Sequence, residues 1–485
     1  MPTAFDIAPL MVDLNLLGVA LLVLVLDLGM PHGRKRMLGL TTSILLFALF
    51  IGTFWMDASG SAFSGAYVGS AWTLMLKRIT LIAGALASLG AIDHVDRHFP
   101  HRQGEFYLLL LFTMLGMTIL PGARDLILFV VCFELMGIPL SIMASYAKAD
   151  DRVGVHKHAA EAGLKLYLVS AASTAITLFG LSLVYGLTGS TKLAVIANAH
   201  LSPLLGMGML VTLAGLAFKV GVVPFHMWIP DTYQGAPTPF VAFLSVAPKA
   251  TGFAALAAVV LVAFRNDAAQ LGPVLVLLIV ASVVIGSVMA LPQKDVKRLL
   301  GYSGIAQVGY MMMGLAAGGE YGTSMLLFYV AGYVVTNMGA FFVLEAVAPN
   351  RTGIVISDLN GLSKRSPWLA LALLMFLLSL AGIPFVVGFW AKLYVFMAVY
   401  QAHQAWLVFF GALMAMVSLW YYLQVARAAY MVEPSPEQAG VKPKVAWTLQ
   451  TAIALCLLAV VGMGAYPRPF LDGATAAARA FMLTK

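Results

Sequence analysis

The stretch Gly215-Leu216-Ala217-Phe218-Lys219-Val220-Gly221-Val222-Val223-Pro224-Phe225-His226 sets one lysine inside an apolar run and interrupts the run directly after it. Proline removes a backbone donor and clashes with the preceding turn. A helix carrying Lys219 is therefore expected to stop near Gly221–Pro224, freeing carbonyls that must find water or side chains. The device recurs downstream. Leu378-Ser379-Leu380-Ala381-Gly382-Ile383-Pro384 is followed about two turns later by Lys392, and Lys249 comes directly after Pro248. Interrupted apolar spans at corresponding places in two halves of a chain are a strong sequence pointer to a transport site.

Around these stretches the solvent has to be lipid. Of 485 residues, 61% are hydrophobic and 10% charged, with a mean hydropathy of +0.92, whereas a soluble chain carries about a quarter charged residues. Apolar runs of the roughly 20 residues needed to span a bilayer recur from end to end. An all-α polytopic membrane protein of about 14 spans is expected, centred near residues 20, 47, 82, 113, 135, 173, 214, 250, 281, 306, 334, 382, 415 and 456. The first run lacks the charged flank and small-residue cleavage site of a secretory signal, so it is expected to be a retained helix.

The net charge of +8 is distributed as a membrane topology signal, not as a nucleic-acid footprint. Odd-numbered loops hold seventeen Lys and Arg: Arg34, Lys35, Arg36; Arg97, Arg102; Lys148, Arg152, Lys157; Lys294, Lys297, Arg298; Arg351, Lys364, Arg365; and Arg427, Lys442, Lys444. Even-numbered loops hold only three, Arg124, Lys192 and Arg265, and the seventh loop holds none. Basic residues concentrate on the cytoplasmic side, so both termini are expected on the non-cytoplasmic side. Cys132 and Cys456 both fall inside apolar runs as packing residues. No metal-ligand spacing, phosphate loop, nucleotide fingerprint or iron–sulfur cysteine set is present, so no redox chemistry is expected in this chain.

Six basic residues remain inside or at the edge of spans: Lys77, Arg78, Lys165, Lys219, Lys249 and Lys392; Glu134 is the deepest acid. An ionisable group at a bilayer centre costs about 2.5 kcal/mol or more and is a functional candidate by default; the bland alternative is a structural ion pair or snorkelling. Desolvation disfavours a charged amine and a neighbouring carboxylate favours it. A Glu134–Lys219 pair would thus hold a proton when closed and release it when open, and successive lysines with water between them would make a relay. His226 either relays protons or caps the break. Glu161 and Lys165, spaced i,i+4, can pair on one helix face, with snorkelling the rival for Lys165. The adjacent Lys77 and Arg78 point in different directions and read as an interfacial anchor. Five spans separate the two broken ones, which gives helices 1–3 in residues 1–103, inverted five-helix repeats at 104–262 and 271–428 broken at helices 7 and 12, and helix 14 with a tail at 446–485.

The segment from Glu105 to Tyr430 resembles a known family. Phe133-Glu134-Leu135-Met136-Gly137-Ile138-Pro139-Leu140 is similar to the fifth-helix motif of antiporter-like subunits of respiratory complex I, the proton-pumping NADH:quinone oxidoreductase. The run Gly215 to Lys219, with Pro224-Phe225-His226-Met227-Trp228-Ile229-Pro230-Asp231 and Tyr233-Gln234-Gly235-Ala236-Pro237-Thr238-Pro239, is close to the family signature. So are Lys297-Arg298-Leu299-Leu300-Gly301-Tyr302-Ser303 and Leu378 to Pro384. Lys392, Val246-Ala247-Pro248-Lys249 and the end of the chain soon after the last span look like the N type within that family.

The resemblance implies that Glu134 and Lys219 are the coupling pair, Lys249 the central relay, Lys392 the terminal proton-transfer lysine and Lys165 a helper. It implies no cofactor in this chain, with FMN, iron–sulfur clusters and quinone in partner subunits. It also implies neighbouring M-type and K-type membrane subunits, contact with lipids, and a bacterial plasma membrane. Two departures stand out: Gln307 replaces the usual histidine of the tenth helix, so a relay there must use water or fail, and Phe385 and Ala391 replace a proline and a glycine around the twelfth-helix break. Alternatives are a subunit of a multisubunit cation/proton antiporter, a related redox-driven pump without NADH, or a scaffold that no longer conducts.

Overall fold

A chain with no water around its middle must close its backbone hydrogen bonds within helices. The computed structural model describes residues 7–57, 59–149, 155–200, 202–349, 353–436 and 438–483; Arg152, Arg351 and Lys485 lie outside the described residues. The helices are α1 (Met11–Gly29), α2 (Arg36–Gly52), α3 (Ala71–His98), α4 (Gln103–Ile119), α5 (Leu126–Ala144), α6 (Val155–Thr188), the short α7 (Leu193–Ile196), α8 (Pro203–Val220), α9 (Trp228–Gly235), α10 (Thr238–Leu244) and α11 (Ala247–Ala258). They continue with α12 (Ala268–Ala290), α13 (Val296–Ala317), α14 (Gly319–Val347), the short α15 (Leu362–Arg365), α16 (Pro367–Ala381), α17 (Val387–Gln401), α18 (Ala405–Met431), α19 (Trp447–Ala465) and α20 (Arg468–Leu483). A small hairpin, β1 (Gly60–Ala62) antiparallel to β2 (Tyr67–Gly69), joins α2 to α3.

Among the described residues, eleven helices are long and apolar enough to cross a membrane, and the protein is multi-pass and membrane-embedded. α2 and α16 are shorter apolar helices. The expected centre at residue 382 falls in the gap between α16 and α17, and every other expected centre falls within a helix.

Two sets of connections gather at opposite ends. At one end Lys35 pairs with Asp27 at 2.8 Å, Arg36 approaches Asp93 at 3.8 Å, the Tyr146 hydroxyl donates to the Arg102 carbonyl, and Val296 N–H bonds Ile354 O at 2.7 Å. Gln438 joins Ser357 there, and Asp231 of α9 reaches Arg298 at 2.5 Å, so the seventh connection, which holds no Lys or Arg, lies with the Lys- and Arg-rich ones. At the other end Arg124 N–H bonds Ala66 O, Leu126 N–H bonds Thr191 O, Asn266 bonds Ala197 O, and Arg479 pairs with Glu320.

The interior belongs to α14 and to the α10–α11 stretch, each 94% buried over its most apolar window, whereas α6 is 28% and α1 and α18 are 33% buried. Peripheral helices present apolar side chains outward, as a lipid-solvated fold requires. The candidate lysines Lys219, Lys249 and Lys392 are carried by or beside the interior set.

Lys77 departs from the sequence reading. It is fully buried and pairs with Asp13 of α1 at 2.5 Å, the carboxylate being 6% exposed, so it clamps α3 to α1 and does not anchor at the interface. Arg78, on the next face, donates to the carbonyl and hydroxyl of Thr53 at 2.8 and 3.0 Å. Removing one partner of a buried ion pair strands the other charge, at a cost of about 3–5 kcal/mol. Asp13→Ala is therefore expected to lower the thermal midpoint of the detergent-solubilised protein strongly, while Asp13→Leu combined with Lys77→Met recovers most of the loss; a thermal-unfolding series of the single and paired variants checks this.

The tail after α19 holds a further helix. α20 buries Ala474, Ala477, Ala478 and Phe481, and Phe481 stacks on Trp72 of α3 with ring centroids 4.4 Å apart. A stripe of alanines at helical spacing carries little hydropathy, so a hydropathy reading passes over it.

Candidate proton-transfer site

The two breaks close in the same way. Gly221 ends α8 at φ +81° and its N–H bonds the Ala217 and Phe218 carbonyls; Gly382 ends α16 at φ +88° and its N–H bonds the Leu378 and Ser379 carbonyls. A left-handed residue there satisfies the last carbonyls and turns the chain out of the helix, which glycine does without a Cβ penalty. Phe385 also takes a positive φ of 78°, so the second break forms without the usual proline. Gly388 packs so close to the Ser379 carbonyl that no Cβ fits, which brings α17 hard against the end of α16.

Lys392, 5% exposed, uses that closeness. Its Nζ donates to the carbonyls of Leu380 at 3.0 Å and Ala381 at 2.8 Å. These are carbonyls left without an intrahelical partner at a helix C-terminus, where the backbone dipoles favour a cation. The Leu380 oxygen also accepts from Gln307 Nε2 at 2.8 Å. The ammonium therefore occupies the break itself.

Gln307 is a hub where a histidine is expected from the resemblance. Its amide donates also to the Tyr422 hydroxyl at 3.2 Å, and its oxygen accepts from the Tyr329 hydroxyl at 2.5 Å. Tyr422 in turn shares a hydrogen with Ser303 at 2.5 Å. The amide cannot hold a charge, but it is surrounded by hydroxyls that both donate and accept. One turn along α14 from Tyr329, Tyr333 accepts from Lys249 Nζ at 3.2 Å, and Lys249 also donates to the Gly304 carbonyl at 3.2 Å. Lys249, 2% exposed, lies in the first turn of α11, just past the gap that separates α10 from α11. Two hydrogen-bonded segments, Lys249–Tyr333 and Tyr329–Gln307–Leu380 carbonyl–Lys392, thus approach each other across α13 and α14, one helical turn apart at Tyr333 and Tyr329.

Lys219 and Glu134 do not touch. Lys219, 7% exposed, bonds Ser170 Oγ at 3.1 Å, and Glu134 accepts from Thr174 Oγ1 at 2.7 Å. Ser170 and Thr174 are one turn apart on α6, so the two ionisable groups are held on consecutive hydroxyls of the same helix face. Gly137 of α5 lies against both groups, since a Cβ there would be in ordinary contact with Ser170 Oγ at 3.4 Å and Lys219 Nζ at 3.6 Å. Beside Lys219 lies a cavity of about 20 Å³ lined by Ser170, Trp228 and Pro248 among others. That is room for about one water. The indole Nε1 of Trp228 is buried with no hydrogen-bond partner among the described residues, a donor that a water there would satisfy.

Lys165 and His226 stand apart from this chain. Lys165, 41% exposed, bridges Glu161 and Asp231 at 2.6 Å each, and Asp231 continues to Arg298; the i,i+4 pair expected from sequence is formed. His226 lies in the break after α8, its Nδ1 buried and unpartnered among the described residues, with no hydrogen bond to any of the lysines. Sequence reading passed over Ser170, Thr174, Tyr329 and Tyr333, although each pair is spaced by four within one apolar helix, which is the available signal. Lys297, expected in a loop, is fully buried and donates to the Ala236 carbonyl at 2.7 Å.

Comparison with known proteins identifies the family. Residues 123–418 match the family model for the transmembrane region of NADH:quinone oxidoreductase and Mrp antiporters. The chain is 39% identical to NADH-quinone oxidoreductase subunit N of Moorella thermoacetica over 98% of this chain and all of that protein. It is 37% identical to NAD(P)H-quinone oxidoreductase subunit 2 of Gloeobacter violaceus over 91% of this chain and 88% of that one. Among solved structures it superposes on a chain of respiratory complex I from Thermus thermophilus with a TM-score of 0.79 and 31% identity, covering 96% of this chain and 99% of that chain. A chain of the Mrp complex from Dietzia sp. shares the fold, with a TM-score of 0.85 at 20% identity over 99% and 98% of the two chains. Broken helices with buried lysines, the family match across both breaks and near-complete coverage of subunit N relatives converge: the chain belongs to the NADH-quinone oxidoreductase subunit N family.

Proposed function

We propose that this chain is the proton-translocating N subunit of an NADH:quinone oxidoreductase and moves protons along Lys219, Lys249 and Lys392. The observation that carries the reading is the buried line of hydrogen-bonding groups from Lys249 through Tyr333, Tyr329 and Gln307 to the carbonyl that also binds Lys392. Burial makes an amine's proton easier to lose, and a neighbouring carboxylate or hydroxyl decides when. Glu134, separated from Lys219 by the Ser170–Thr174 turn, is the gate: moving toward Lys219 it retains the proton there, and moving away it sends the proton toward Lys249 through the water-sized cavity. Gln307 keeps the hydroxyls in line and stores no proton. Lys165, paired to Asp231 and Glu161, tunes the field at the start of α6 and is not a carrier.

Redox energy arrives from partner subunits, where FMN, iron–sulfur clusters and quinone reside. The neighbours within the complex are the M-type and K-type membrane subunits. The complex sits in a bacterial plasma membrane, with the Lys- and Arg-rich end cytoplasmic and both termini on the opposite side. The shared fold with the Mrp complex supports a common transport architecture, while the 39% identity to a subunit N favours the redox-driven assembly. Lys219→Ala in the assembled complex, reconstituted in vesicles, is expected to lower protons moved per electron at least severalfold while flavin and iron–sulfur chains still copurify. Normal pumping with full assembly removes Lys219 from the mechanism.

A further inference from the structure

The Lys- and Arg-rich end carries a buried titratable pair that the relay does not use. His94, near the end of α3, lies 2.9 Å from Glu345, near the end of α14, with side chains 8% and 4% exposed. A cavity of about 10 Å³ adjoins them, lined also by Asp93, Arg97 and Lys444, close to the least volume that holds one water. Asp93 and Arg97 pair across its outer edge with side chains 21% and 43% exposed, so the cavity is reached from solvent. Also facing the pair are His98, whose ring lies 4.6 Å from that of His94, and the buried Lys297 ammonium, within electrostatic reach of Glu345.

From Glu345 a single stripe runs inward along α14. Residues 345, 341, 337, 333 and 329 are spaced by four, so Glu345, Phe341, Asn337, Tyr333 and Tyr329 form a row that winds about a third of the way around α14 between Glu345 and Tyr333, and all five are buried. Tyr333 is the partner of Lys249. The twelve residues from Glu345 to Tyr333 rise about 18 Å. Phe341 is the apolar step in the stripe, and unsatisfied polar atoms flank it. Tyr233 of α9 packs edge-on against Phe341 with centroids 5.8 Å apart, and its hydroxyl has no partner among the described residues. Asn337 donates to Ser245 Oγ at 2.8 Å, while its Oδ1 is buried and unpartnered. Buried polar atoms without protein partners are ordinarily satisfied by internal water, so waters here would bridge the phenylalanine.

We propose that the His94–Glu345 pair is the mouth of a proton-uptake path that follows the polar stripe of α14, past Tyr233 and Asn337, to Tyr333 and Lys249. Glu345 takes a proton from solvent through the outer cavity, with His94 fixing its orientation, and passes it inward to the neutral Lys249 amine. The proposal rests on the lysine relay and gives Lys249 an entry from solvent in addition to the transfer from Lys219. It also gives α3, which lies outside both repeats, a part in transport.

The test is Glu345→Gln in the assembled complex in vesicles. The amide keeps the size and a hydrogen bond to His94 but cannot take up a proton. Protons moved per electron are expected to fall severalfold, most steeply at alkaline pH where uptake is scarce, with assembly and electron transfer to an artificial acceptor unchanged. Tyr233→Phe, which keeps the ring and deletes the unpartnered hydroxyl, is expected to slow pumping severalfold and decides the matter should the glutamine variant fail to assemble. A wild-type ratio at every pH in an assembled variant overturns the mouth and leaves a structural clip between α3 and α14. Lys249→Met measured alongside separates the two ideas: normal pumping there defeats the relay, whereas blocked pumping there with normal Glu345→Gln defeats only the mouth.

Discussion

Lys249→Met in the assembled complex is expected to cut proton transfer through this chain by about a hundredfold, the low end for loss of an essential acid–base group. Methionine matches the length and flexibility of the lysine stem and fills irregular space, so packing around α11 survives and the change isolates the charge. Among the described residues no other titratable amine or carboxylate hydrogen-bonds to Tyr333 or the Gly304 carbonyl, so nothing takes over. The hydroxyls that remain pass a proton only while a group able to hold it stands at each end. Vesicle acidification per quinol formed is the readout, with retention of all partner chains as the control.

The second large effect is at Lys392. Lys392→Met should stop proton release to the same degree and also weaken the fold, because the Ala381 carbonyl loses its ammonium partner while Leu380 keeps Gln307. An orphaned buried carbonyl costs about 1–3 kcal/mol, visible as a lower thermal midpoint that Lys249→Met does not share. With the two lysines in series, as proposed, the Lys249→Met/Lys392→Met double variant should pump no less than either single one. Additive losses would mean parallel paths, because groups that act as one unit are not additive.

The breaks are the part of this site most legible in sequence, because glycine and proline act on the backbone locally: Gly221 and Gly382 stop their helices within a residue or two of where spacing places them. Burial of Lys219, Lys249 and Lys392 is equally legible, since a lysine in mid-span has few places to go. Contacts between helices are not legible. The opened arrangement of Glu134 and Lys219 depends on which faces of α5, α6 and α8 meet, and the separate hydroxyl partners Thr174 and Ser170 follow from that packing. The tyrosines of α14 hide because aromatic residues at helical spacing read as ordinary core; only the approach of Gln307 and Lys249 gives their hydroxyls a role. Lys77 hides for the opposite reason, since its acid, Asp13, is 64 positions away on another helix.

Gln307 shows how a departure from a motif is resolved by geometry. Read along the chain, an amide in place of an imidazole is a missing carrier. In the fold it satisfies Tyr329, Tyr422 and Leu380 at once, so in the proposed relay the hydroxyls it aligns carry the protons it cannot hold.

What everything else rests on is that water joins these buried amines inside a lipid-embedded bundle. The most direct measurement is a density map of the assembled complex at a resolution that shows ordered solvent. Waters are expected in the cavity bounded by Ser170, Lys219, Trp228 and Pro248, and beside Tyr233 and Asn337. Dry apolar contact closing the space between Lys219 and Lys249, with the amines turned to lipid headgroups, would contradict the relay.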